Sequence, residues 1–162
     1  MMNKLIIITG TPGTGKSTLA QALAKKTGIP RLDLHSYYKK LSYNYDTKKR
    51  CYVINLKKLE KLVQEKLKEN AKGFIFDSHL AHFLPPKIVK FCIVLICPNL
   101  KELEKRLKKR KYSLKKIQEN IEAEIFQVCL EEARERGHKV LVLDSSTYSV
   151  PHLVQKTKSF LN

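Results

Sequence analysis

The chain is predicted to be an α/β protein, a three-layer α/β/α sandwich around a five-stranded parallel sheet, on three observations. Apolar runs of strand length alternate with long amphipathic stretches, the pattern of a parallel sheet covered on both faces. A glycine-rich segment, G-T-P-G-T-G-K-S from Gly10 to Ser17, joins the first apolar run to the first helical stretch. The 162 residues suit one domain, long enough to bury a core without disulfides or a structural metal.

Taken in order, the first strand spans Lys4 to Thr9 on the run Leu5-Ile6-Ile7-Ile8. The first helix starts at Lys16, buries Leu19, Leu23 and Ala24, and stops near Thr27 because Gly28 and then Pro30 follow. A short strand is expected near Pro30 to Leu32. The polar stretch from Asp33 to Cys51, with Tyr37, Tyr38, Tyr43 and Tyr45, fits no layer and reads as an insertion. A second helix occupies Leu56 to Asn70 with Asn55 as its cap, its lysines alternating with Leu59, Leu62, Val63 and Leu67. Strands follow at Gly73 to Asp77 and at Phe91 to Cys97. The third helix begins beyond Asn99, where N-x-x-E through Glu102 has the form of a capping box. A basic elbow, Arg106 to Lys116, leads to Ser113, which heads what should be the longest helix: Leu114, Ile117, Ile121, Ile125 and Val128 share a face until Gly137. The fifth strand is Lys139 to Leu143, and a last helix follows Pro151.

Charge is the unusual bulk property. The chain carries 32 basic against 15 acidic residues, a formal +17, which favours anionic partners from free nucleotides to RNA; a solvated lysine-rich helix surface accounts for part of it equally well. The four cysteines, Cys51, Cys92, Cys97 and Cys129, form no C-x-x-C pair and read as reduced, partly buried thiols. No apolar run approaches the roughly 20 residues of a membrane span, and the chain enters its first strand too early for a cleaved signal, so a soluble, cytoplasmic protein with no membrane partner is expected.

The glycine-rich segment is a complete G-x-x-x-x-G-K-[ST] phosphate loop between strand and helix. Its glycines let the backbone curl with N–H groups inward, while the positive end of the first helix faces the same hollow. Lys16 would reach the outer phosphates of a nucleotide, and the Ser17 hydroxyl would ligate the bridging magnesium ion. Phe74-Ile75-Phe76-Asp77 has the form of a Walker B element, with Asp77 as a second magnesium ligand; alone, it would read as a turn aspartate. His79, two residues on, reads either as a group that orients a water or the acceptor, or as a satisfied structural histidine, and His82 makes a weaker case. Arg106 and Arg110, one helical turn apart, would place guanidinium groups on a transferring phosphoryl group if the elbow closes; a solvated charge run is the alternative.

With these residues in place, the chain resembles the adenylate kinase isoenzyme 6 family of small nucleoside monophosphate kinases over nearly its whole length. The likeness rests on G-T-P-G-T-G-K-S-T at Gly10 to Thr18, Asp77 and His79 followed by Phe83 and Pro85, Cys97-Pro98, R-L-K-K-R-K-Y-S at Arg106 to Ser113, and E-N-I-E-A-E-I-F at Glu119 to Phe126. It implies a single P-loop kinase domain over 1–162, with a monophosphate-binding insert at about 33–56 and a lid at about 108–118. It implies magnesium-dependent, reversible transfer from ATP to AMP or another nucleoside monophosphate, with ATP hydrolysis as a second activity. By the same resemblance Gly13, Gly15, Lys16, Ser17, Thr18 and Arg110 are ATP contacts and Asp77 and His79 are the Walker B pair; as members of the loop, Gly10 and Thr14 are expected to join the nucleotide contacts, and Arg106 is expected to help Arg110 at the transferred group. A role in small ribosomal subunit maturation is implied too, through a ribosomal protein and pre-ribosomal RNA, by a monomer or weak oligomer. Where usual adenylate kinases carry an arginine in G-F-P-R after the third strand, this chain has Asp77-Ser78-His79, which points to loose acceptor choice. Arg50 is a candidate acceptor-phosphate ligand. The lid holds no cysteine, which excludes a zinc-bearing lid. An ATP-switched assembly factor is the competing class, and a kinase of a small alcohol such as shikimate, with only Asp33 available as its base, is the enzymatic alternative.

Overall fold

The computed structural model describes residues 5–48 and 51–162, and the side chains of all of these except 51 and 52. Lys4, at the expected start of the first strand, and Arg50 lie outside the described residues. Five parallel strands form the sheet: β1 (Leu5–Thr9), β2 (Arg31–Leu32), β5 (Phe74–Asp77), β6 (Val89–Ile96) and β7 (Val140–Asp144), in the order β2-β5-β1-β6-β7. Strand β1 is central because its apolar residues serve both faces. Leu5 and Ile7 pack into one core with Leu59, Leu62 and Val63 of α3 (Leu56–Glu69) and Leu130 and Ala133 of α6 (Val128–Glu135). Ile6 and Ile8 pack into the other core with Leu19, Ala20 and Leu23 of α1 (Lys16–Thr27) and Leu153 and Val154 of α7 (Val150–Leu161). The three layers follow from the alternation of side chains along buried strands.

The caps work largely as the spacing predicts. Gly28 ends α1 in the left-handed region at φ 72°, and Asn55 Oδ1 accepts from the N–H groups of Lys57 and Lys58. Asn99 Oδ1 accepts from the Glu102 N–H at the head of α4 (Leu100–Lys109), which is half of a capping box; Glu102 instead accepts from Arg106 Nε. Ser113 Oγ accepts from the Lys116 N–H at the head of α5 (Leu114–Ile125).

Two expectations are corrected. The helix headed by Ser113 does not run to Gly137: it stops at Ile125, and α6 begins at Val128 after Gln127, which sits at φ 51°. Inside the expected stripe, Leu114 is 80% exposed and Ile125 56% exposed. The residue the helix buries near its end is Glu124, which accepts from the Cys97 N–H at 2.9 Å, while Gln127 Nε2 donates back to Glu124 O at 2.9 Å. A buried polar anchor, invisible to an apolar periodicity, thus sets the end of α5; at 12 residues it is shorter than α3 with 14. Second, the tyrosine-rich insert contains the short helix α2 (Tyr38–Leu41) and an antiparallel pair of strands, β3 (Ser42–Asp46) and β4 (Cys51–Ile54), separate from the main sheet. Tyrosines spaced by two are a β signal that the polar composition masked.

Candidate active site

The loop after β1 takes the cradle shape because glycine alone satisfies its geometry. At Gly10, φ is 146° and an added Cβ would lie 2.3 Å from the Leu95 carbonyl oxygen; at Gly13, it would lie 2.9 Å from Leu107 Cδ2 of α4. Gly15, the N-cap of α1, brings no side-chain acceptor, so the first-turn N–H groups face the hollow. Lys16 folds back over the loop, its Nζ donating to Gly10 O at 2.9 Å and Thr11 O at 3.1 Å. Desolvation within the loop pushes its pKa down to about 8, with repulsion from Arg110 adding to it and Cys129, Asp77 and Glu124 opposing it.

The expected Walker elements meet. Ile8 is the register partner of Asp77 across β1 and β5, and Ser17 Oγ donates to Asp77 Oδ2 at 2.9 Å. A hydroxyl beside a carboxylate is a hard-oxygen pair suited to magnesium, which keeps several waters and takes its other ligands from substrate phosphates. Among the described residues no cluster of three or more His, Cys, Asp or Glu could cage a metal; the pair that could offer a magnesium ion hard oxygens is Ser17 and Asp77.

Sequence reasoning missed the strongest partner of Asp77. Arg31 of β2 donates through Nε to Oδ1 at 2.6 Å and through Nη2 to Oδ2 at 3.0 Å, a bidentate pair with Asp77 only 4% exposed and Arg31 17%. A basic residue in a two-residue edge strand gives no local signal. Its meaning appears only once β2 pairs with β5.

The two histidines part company. His79 is exposed at the surface, yet desolvation by the protein around it, with repulsion from Lys16, His82 and Lys116, pushes its pKa below the ordinary imidazole range. Its ring is neutral at pH 7. His82 is buried: with Nε2–H donated to Glu132 at 2.7 Å, its Nδ1 accepts from the Thr9 hydroxyl at 2.6 Å. It is a structural histidine that ties β1 to α6, and its carbonyl accepts from His138 Nε2.

Arg106 and Arg110 also divide. Arg106 donates to Ser145 Oγ and Ser145 O, both at 3.1 Å, to Glu102 Oε1 at 3.1 Å, and at longer range to Gly13 O and Thr14 O. It braces the phosphate loop against the end of β7. Arg110, at the end of α4, is exposed and lines a cavity of about 450 Å³ with Gly13, Thr14, Gly15, Thr18 and Leu19 on one side and Ser145, Tyr148, Val150 and Leu153 on the other. The elbow itself is a turn at Lys111 (φ 58°), its base set on a small core of Cys97, Leu103, Leu107 and Ile117. Cys92 and Cys97 are buried free thiols and Cys129 is half-buried and free; burial pushes Cys92 up to about 12 and Cys129 to about 11, so neither is a nucleophile at neutral pH.

A family profile described as an AAA domain matches residues 6–127. An adenylate kinase isoenzyme 6 homolog of Schizosaccharomyces pombe is 37% identical, over 91% of this chain and 84% of its own length. One of Caenorhabditis elegans is 39% identical, over 80% and 72%. The chain belongs to the adenylate kinase isoenzyme 6 family. Family membership makes it a phosphotransferase of the nucleotide kinase kind. Among solved structures, shikimate kinase of Acinetobacter baumannii in complex with shikimate superposes with a TM-score of 0.67 over 98% of this chain and 92% of that one; at 17% identity the likeness is one of fold. No helix among the described residues is long and apolar enough to cross a membrane.

Proposed function

We propose that the protein is a broad-specificity nucleoside monophosphate kinase that transfers the γ-phosphoryl group of ATP reversibly to AMP or a related monophosphate. One observation carries the reading: the Ser17 hydroxyl, from the phosphate loop, meets Asp77, from the end of β5, at 2.9 Å, beside Lys16 and at the edge of a nucleoside-sized cavity. The loop amides and Lys16 would neutralise the donor phosphates, and Arg110 would reach the transferring group from the cavity rim. Ser17 and Asp77 would hold a magnesium ion, which would supply charge neutralisation for the donor phosphates. An acceptor phosphate oxygen forms the new bond to phosphorus as the bond to the β–γ bridging oxygen breaks. That oxygen is already anionic, so no general base is required. Small-alcohol kinases do need one, and Asp33 is engaged in capping the following turn through the His35 N–H.

ATP hydrolysis is a second activity on this reading, because the neutral His79 ring, two residues beyond Asp77, could accept a hydrogen bond from a water. The +17 charge supports the family's further part in small-subunit maturation, with ribosomal RNA or a ribosomal protein as partner. One assay separates these activities. Protein with magnesium and ATP is offered AMP, CMP, dAMP, water or small alcohols, and ADP formation that depends on AMP and runs in reverse is the expected result. Hydrolysis alone, accelerated by RNA, would replace the kinase reading with that of an assembly ATPase.

A further inference from the structure

We infer that Arg31 is the exchangeable ligand of the acceptor phosphate: its guanidinium rests on Asp77 until that carboxylate turns to magnesium, and then engages the monophosphate. The inference rests on the kinase reading above and adds to it a residue and an order of events.

Position comes first. The donor cavity lies on one side of the phosphate loop, walled by Leu95 of β6 and Val150 and Leu153 of α7. In the strand order β2-β5-β1-β6-β7, Arg31 and Asp77 lie on the other side of β1, next to the insert that follows β2. A second nucleotide reacting in line with the first must enter from that side.

Chemistry comes second. The Arg31 fork is already arranged for bidentate binding, with Nε and Nη2 on the two oxygens of Asp77 at 2.6 and 3.0 Å, and the same fork fits two oxygens of a phosphate. Asp77 Oδ2 also accepts from Ser17, so both oxygens are engaged by groups that must be rearranged before the carboxylate serves a metal. A dication held by Ser17 and Asp77 would share the Asp77 carboxylate with the guanidinium, and like charges that close repel. The arginine is displaced toward the crevice, where a monophosphate dianion is a stronger partner than the carboxylate it leaves. Binding of acceptor is thereby coupled to metal at the donor site without any movement of the sheet.

The test is calorimetric titration of AMP into full-length protein holding a non-hydrolysable ATP analogue, with magnesium or with chelator, for wild type, Arg31→Gln and Arg31→Lys, each checked for a cooperative melt. In wild type, magnesium should tighten AMP at least about tenfold. In Arg31→Gln, AMP binding with magnesium present should weaken about thirtyfold, in line with loss of a charge-assisted bidentate pair. The magnesium requirement for analogue binding should fall, because the competing cation is gone. Arg31→Lys, which keeps the charge but not the fork, should fall between the two. If both variants bind AMP as wild type does and lose analogue binding instead, Arg31 is a fixed brace of Asp77 and the inference is overturned. If wild type binds AMP equally with and without magnesium, the exchange is overturned while the kinase reading stands. If wild type binds no AMP and forms no ADP from it, the kinase reading fails first and takes this inference with it.

Discussion

Arg106 separates a structural cation from a catalytic one, and its replacement can be worked through in numbers. In Arg106→Ala, two good bonds to Ser145 at 3.1 Å are lost, each contributing about 1 kcal/mol net at a partly exposed site. The i,i+4 pair with Glu102, with side chains 28% and 39% exposed, adds about 0.5 kcal/mol, and the long contacts to Gly13 O and Thr14 O add about 0.5 kcal/mol together. The sum is about 3 kcal/mol, or a fall in Tm of roughly 6–12 °C for a domain of this size. Because the fork is spent on the protein, the effect on turnover passes through loop geometry: about a tenfold loss of kcat with a matching rise in KM for ATP, against the thousandfold expected of an arginine on the transferring group. Differential scanning calorimetry and a coupled ADP assay on Arg106→Ala and Arg106→Lys read both quantities. A Tm within about 2 °C of wild type together with a thousandfold loss of kcat would refute the brace and return Arg106 to the reaction centre.

Gly10→Ala forces a methyl group to within 2.3 Å of the Leu95 carbonyl at φ 146°, so urea unfolding should show at least about 3 kcal/mol of destabilisation and ATP protection should vanish; a variant as stable as wild type contradicts the geometry. ATP binding should restore the proton that the lowered Lys16 pKa leaves half dissociated near pH 8, so calorimetry in buffers of different ionisation enthalpy should register uptake of about half a proton, and Lys16→Met should register none. Burial depresses the pKa of His82, with repulsion from Arg136 and His138 adding to it and the Glu132 carboxylate opposing it. Below about pH 6.5 the unfolded chain therefore takes up a proton that the folded chain resists, so stability is full above that pH and falls with acid. The urea midpoint should trace this fall, and His82→Asn should flatten it; a midpoint that climbs on acidification contradicts the assignment. Glu124→Ala strands the buried Cys97 N–H and should lose about 2 kcal/mol, whereas Glu124→Gln, which keeps an acceptor, should lose less than half of that by urea titration.

The parts of this molecule that were legible in its sequence are those set by neighbours along the chain. Asn55, Asn99 and Ser113 cap helices because each side chain reaches an N–H two or three residues on, and the loop from Gly10 to Ser17 is one continuous piece of backbone. The meeting of Ser17 with Asp77 was legible as well, because a strand that ends in an aspartate has few places in a parallel sheet beside a phosphate loop. Arg31 and Glu124 were not legible, for a shared reason. Arg31 meets Asp77 46 positions away and Glu124 meets Cys97 27 positions away, and each is a charged residue doing inside the fold what charged residues usually do in water. Periodicity treats such residues as outward, so it carried the α5 helix through Phe126, which is 71% exposed, and past the break at Gln127.

The same accounting bears on how the crevice treats anions. Three of its cations already hold internal partners: Lys16 two loop carbonyls, Arg31 the Asp77 carboxylate, and Arg106 Ser145 and the loop carbonyls. A polyphosphate therefore does not meet bare charges; it exchanges carbonyl and carboxylate partners for phosphate oxygens, and only the difference appears as affinity. The exchanges are unequal. Lys16 trades neutral carbonyls for a multiply charged oxyanion and gains most, Arg31 trades one anion for another and moves only when metal has weakened its hold on Asp77, and Arg106, tied from α4 to Ser145 just beyond β7, gains least by moving. That ranking assigns Lys16 to binding, Arg31 to coupling and Arg106 to support, and it requires that replacing each should alter a different measurable: donor affinity, the metal dependence of acceptor binding, and thermal stability.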